Sequence, residues 1–256
     1  MVYLLNEGRI RQGLVPVLRG LITDTLGAAG RTGCTLKTAA LYGSVVGKDF
    51  VPGRSDVNVL LVFESVKFDL LRELRGAFRR HAGKLRANPV VIDEEYIRGS
   101  ADVFPMEFLE WKQRSLVIYG EDALEGIEVA EENLRLEIEE NLRGKKLRLT
   151  QSYFEAPRGR GKLQGLAEGA LANFAAAFRG ILRLKGMEAK GEFLDTLDAL
   201  SGMCGSRLSN VRRLYQLKTE GLKLSAEEEE KLFRGYLGDI DEVIGYVDRL
   251  EAARGG

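Results

Sequence analysis

The sequence predicts an α/β amino-terminal half followed by an all-α helical bundle. Short runs rich in β-branched and aromatic residues, Thr38–Tyr42 and Asp56–Phe63 foremost, sit among amphipathic helical stretches as far as Gly126. Turn chemistry at Pro52-Gly53-Arg54-Ser55 separates those two runs. Beyond Ile127 the pattern changes to long helical segments with no convincing strand. The boundary is placed near Gly126, giving domains over residues 1–126 and 127–256, and 256 residues suffice for two units that each bury a core.

In chain order, Leu14, Val17, Leu18, Leu21, Ile22 and Leu26 follow helical spacing and predict an opening amphipathic helix over about 11–29, ended by the glycines from Gly27 to Gly33. Thr38–Tyr42 and Asp56–Phe63 read as buried strands, with one or two helical turns over Ser44–Asp49 between them. Leu70, Leu71, Leu74, Phe78 and Leu85 form one face of a helix over 68–85. Pro89–Ile92 reads as a strand, Val103–Leu109 as a further extended run, and Leu116–Tyr119 as a short strand ending at Gly120. Helices are expected at about 130–155, 163–186, 190–203, 207–219 and 226–253.

Composition narrows the function classes. Lys plus Arg equals Asp plus Glu at 38 each, and the balance holds in both halves, with 17 basic and 16 acidic side chains over residues 1–126. That argues against long-range attraction to a polynucleotide. No stretch reaches the roughly 18 uncharged residues a membrane span requires, and no basic-then-apolar leader opens the chain, so a cytoplasmic protein without membrane partners is expected. Cys34, Cys204 and the single histidine, His81, make no zinc constellation. A bound metal would rest on oxygen ligands.

Gly43 and Ser44 end one strand and begin a turn, where backbone amides can approach a phosphate without a side chain in the way. Asp56 and Asn58 alternate on one face of the next strand, with Val57 and Val59 on the other. Two oxygen-bearing side chains thus point together, although a plain strand-turn-strand with Asp56 capping a loop would share the pattern. The run Tyr-Gly-Ser-Val-Val-Gly-Lys-Asp-Phe-Val-Pro-Gly-Arg-Ser-Asp-Val-Asn-Val-Leu-Leu-Val, from Tyr42 to Val62, resembles the signature of the polymerase-β-like nucleotidyltransferase superfamily. The resemblance is specific over about residues 38–63. It extends through Phe104-Pro-Met-Glu-Phe-Leu109 and through Tyr119-Gly-Glu-Asp122, which is similar to the chain exit of bacterial members with a helical carboxy-terminal half.

The resemblance implies a nucleotidyltransferase fold of α/β (α+β) class with a mixed sheet. It also implies a reaction, Mg²⁺-dependent transfer of a nucleoside monophosphate from a nucleoside triphosphate to a small-molecule or protein acceptor. Gly43 and Ser44 would hold phosphate; in the connecting loop Lys48 and Arg54 are placed to reach phosphates or to stay solvated as exposed loop cations, and Ser55 is a further nucleotide-binding candidate. Asp56, Asn58 and Glu107 would hold one or two Mg²⁺ or Mn²⁺ ions, Glu107 being the third acid on a later strand, and Asp56 or Glu107 would accept the proton. A homodimer is compatible with this reading. Asn58 departs from the family pattern, because active members carry a second carboxylate there. A neutral amide weakens metal capture, so the alternative is a nucleotide-binding sensor or partner-binding module with weakened or lost transfer.

Other features read as structural. His81 within Arg79-Arg80-His81 is expected on a helix surface, although a histidine can serve as a general base. The cations of Arg143-Gly-Lys-Lys-Leu-Arg148, with Tyr153 beyond them, and the acids Glu227–Glu230 are expected to be solvated helix faces, the acids following Ser225 as N-cap.

Overall fold

A computed structural model describes residues 2–47, 50–51, 55–157, 159–187 and 192–252. The chain divides into two compact units, Met1–Val129 and Ala130–Gly256. The first is α+β and the second is helical. Among the described residues no helix is long and apolar enough to cross a membrane.

After a 3₁₀ turn at Glu7–Arg9 the first unit continues with α1 (Val15–Thr32), where Pro16 sits in the first turn and Gly33 closes the helix in the left-handed region. β1 (Leu36–Tyr42) leads through a short 3₁₀ turn, Gly43–Val46, towards β2 (Val57–Phe63). Then come α2 (Phe68–His81), β3 (Ala87–Asp93), α3 (Glu94–Ser100), α4 (Pro105–Gln113) and β4 (Ser115–Gly120). The strands form one mixed sheet in the order β3-β2-β1-β4. β1 is antiparallel to both neighbours, and β2 and β3 run parallel because α2 carries the chain back across the sheet.

Both faces of the sheet are covered, which is why β2 reads as a nearly unbroken apolar run. Ala39, Leu41, Val57, Val59, Leu61 and Phe63 pack with Leu18, Leu21 and Ile22 of α1 and Leu70 and Leu74 of α2. Ala40, Leu60, Val62 and Ile92 meet Ile97, Phe108, Trp111 and Leu124 on the other face. Gly120 ends β4 at φ 77°, and a Cβ there would lie 1.8 Å from the Lys37 carbonyl oxygen, so only glycine fits this crossing.

Two elements differ from the sequence expectation. The extended run expected over Val103–Leu109 is instead the start of α4, with Pro105 in its first turn. Proline there is a helix-start signal, and burial of Pro105, Phe108 and Trp111 follows helical spacing. The alternation of Met106 and Phe108 about Glu107 imitated a strand. α3 was not anticipated, although Asp93 caps it by accepting the Tyr96 amide at 2.9 Å. His81 is not a plain surface residue: its side chain is only 18% exposed, and Nε2 lies 3.0 Å from Asp24 Oδ2 on α1.

The second unit comprises α5 (Glu131–Glu155), α6 (Lys162–Leu184), α7 (Phe193–Cys204), α8 (Ser209–Glu220) and α9 (Ala226–Ala252). α6 is its centre, packing against α5, α7, α8 and α9 with Phe174, Phe178 and Ile181 fully buried. The cationic run on α5 braces its neighbours. Arg143 pairs with Glu139 and with Asp248 of α9, Lys146 with Asp241 of α9, and Lys145 donates to the Asn173 carbonyl of α6 at 2.9 Å. Tyr153 stacks on Phe233 at a centroid distance of 5.3 Å.

Ser225 accepts the Glu228 amide, the N-cap bond expected of it. The acidic face that follows is not uniformly solvated, however. Glu229 is 2% exposed and accepts amides of Gly161, Leu163 and Gln164, closing the amino terminus of α6.

Candidate functional site

The sheet alternation brings three side chains from three strands to one end of the second face. Tyr42 closes β1 and pairs with Asn58 at the start of β2, which pairs in turn with Asn88 of β3. These positions share the parity of Ala40, Leu60 and Val90, which pack on that face. Asn58 Oδ1 accepts a hydrogen bond from Asn88 Nδ2 at 3.1 Å. Just beyond the strand ends, Arg86 Nε donates to Asp56 Oδ1 at 3.0 Å, with both side chains more than half exposed. Neutral amides therefore lie next to a charge-balanced pair.

Gly43 follows Tyr42 at φ 75°, and a Cβ on it would lie 3.0 Å from Asn58 Nδ2. The turn and the Asn58 amide are thus in close approach. The Gly43 amide itself does not stand open for a phosphate, because it donates to the Arg114 carbonyl at 3.3 Å. Ser44 is half-buried within the 3₁₀ turn.

Ser55, expected to bind nucleotide, closes the loop: its Oγ accepts the Val51 amide at 3.0 Å, and its own amide donates to the Val51 carbonyl at 2.8 Å. Lys48 and Arg54 lie outside the described residues. Arg11, which sequence reasoning did not single out, donates to the Gly47 carbonyl at 2.8 Å and lies 5.1 Å over the Phe50 ring, tying the loop to the start of the domain.

Glu107 is exposed on α4, not on a strand beside β2. Its charge nevertheless reaches Tyr42. The Tyr42 phenol is held above its ordinary range chiefly by burial; a hydrogen bond with Trp111 opposes the rise and the negative Glu107 adds to it. The Tyr42 and Trp111 rings meet edge to face at 6.1 Å.

The donor set fits a divalent cation poorly. A Mg²⁺ site favours anionic oxygens free to complete an octahedron. At the sheet end Asp56 brings one carboxylate, in an exposed pair with Arg86, Asn58 and Asn88 bring neutral amides bonded to each other, and Glu107 comes from α4. Among the described residues no three His, Cys, Asp or Glu side chains gather to hold a metal ion. Asn88 and Arg86 precede the apolar run that begins at Pro89, so no local pattern marks them. Their only signal is register: β3 begins before its proline, which the edge position tolerates.

No protein-family model matches this chain, and no curated protein matches it.

Proposed function

We propose that the first unit is a nucleotidyltransferase-type domain of the polymerase-β-like superfamily that binds a nucleoside triphosphate at the Tyr42–Asn58–Asn88 end of its sheet and has lost nucleotidyl transfer. The observation that carries the reading is the amide pair, with Asn58 and Asn88 side by side on parallel strands. The resemblance implies a second carboxylate at the Asn58 position and a third acid on a later strand, where they would hold the ions that neutralise a triphosphate. The Asn58 amide withholds one anionic ligand, yet an amide NH₂ can donate to a phosphate oxygen without charge repulsion. The turn at Gly43 comes close to the Asn58 amide, and the Tyr42 and Trp111 rings meet edge to face beside it. The mixed sheet and the helical second unit are compatible with this family.

Two measurements test the proposal together. Each nucleoside triphosphate at about 100 times its Kd is expected to raise the melting temperature by on the order of 5 °C. Pyrophosphate release in Mg²⁺ is expected to stay at background. Release by the natural protein would overturn the loss of transfer, and no melting shift with any nucleotide would overturn the binding site. The Mg²⁺-dependent transferase predicted from the motif requires the first of those contrary results.

A further inference from the structure

We propose that Arg86 takes the place of a divalent cation in this site, so that a nucleoside triphosphate binds without metal and its phosphates draw the guanidinium away from Asp56. The inference rests on the nucleotide reading above and names how the phosphate charge is met.

Its basis is the order of charges at the sheet end. β3 runs parallel to β2 with Asn88 opposite Asn58, and Arg86 stands opposite Asp56 one alternation further out. Arg86 and the Asn88 amide therefore project from the same side of adjoining positions. Arg86 bonds Asp56 at 3.0 Å with its side chain 61% exposed, so this pair is solvated and opens at little cost. A guanidinium is permanently charged, and its planar fork matches two phosphate oxygens at once. A triphosphate carries more charge than the single Asp56 carboxylate and outcompetes it for the fork. Asp56 then acts as an internal competitor that holds Arg86 in place while the site is free.

This assignment reverses the sign of one substitution. If Asp56 were a metal ligand, Asp56→Asn would weaken nucleotide binding; if Asp56 competes for Arg86, the same change strengthens it. The experiment is isothermal titration of the full chain with each of the four ribonucleoside triphosphates, in EDTA and again in excess Mg²⁺. The natural protein is expected to bind comparably in both. Arg86→Gln should weaken binding about tenfold, the scale of one charge-assisted hydrogen bond. Asp56→Asn should tighten it a few-fold. Arg86→Lys, which keeps the charge without the fork, should fall between Arg86→Gln and the natural protein, and it serves if the glutamine variant fails to fold. Binding that requires Mg²⁺, or that Asp56→Asn weakens, overturns the inference and leaves the nucleotide reading standing. Absence of binding in both conditions overturns the nucleotide reading and this inference with it.

Discussion

Asp24 on α1 accepts from both Arg80 Nε and His81 Nε2 of α2, each at 3.0 Å. The Arg80 hydrogen bond is the largest influence on its carboxyl and holds it below the ordinary 3.8; burial opposes this and His81 adds to it. A depressed carboxylate stabilises the fold while ionised, so its contribution is present above about pH 4 and fades as pH falls through the lowered value. Asp24→Asn should therefore lose less stability than the natural protein between about pH 5 and pH 3, followed by urea unfolding at each pH. Equal losses would show that the α1–α2 pair is not linked to acid stability. The thiol of Cys204 lies at the other extreme, pushed up to about 11 mainly by burial. Its alkylation by iodoacetamide at neutral pH should be far slower than that of an unstructured cysteine peptide.

At the scale of elements, α9 organises the second unit through two buried carboxylates. Glu229 closes the start of α6, and Asp239 accepts the Asn210 and Val211 amides at 2.8 and 2.9 Å at the start of α8. Each supplies acceptors that a helix amino terminus lacks, and each opposes the positive end of a helix dipole. Glu229→Ala leaves buried amides without a partner and should cost roughly 2–3 kcal/mol, read as a lower urea midpoint at unchanged slope. A cost below about 0.5 kcal/mol would place Glu229 with ordinary surface residues. The periodicity of Glu227–Glu230 reads as a solvated face because the amides that Glu229 meets are remote in sequence. Local pattern shows the helix but not which of its acids turns inward. The same limit explains α4, where alternation about Glu107 and helical spacing of Pro105, Phe108 and Trp111 coexist in one short stretch and only packing decides between them.

For the whole molecule, the division into an α+β unit and a helical unit was legible because strands buried on both faces and long amphipathic helices leave different patterns. Gly43, Ser44, Asp56 and Asn58 were legible as a group because strand alternation and one turn bring them to a single sheet end. What sequence alone could not supply was the third strand's contribution, since pairing of Asn58 with Asn88 and of Asp56 with Arg86 depends on the register of β3. That register changes the expected ligand set of Asp56, Asn58 and Glu107 to an amide pair beside an ion pair, and it adds to the support that Asn58 already gives the proposed loss of transfer. Titration of Mn²⁺ alone, read from the electron paramagnetic resonance signal of the free ion, tests this most directly. The natural protein should leave Mn²⁺ free, and the double variant Asn58→Asp with Asn88→Asp should capture it. Tight capture by the natural protein, lost in Asp56→Asn, would contradict the account.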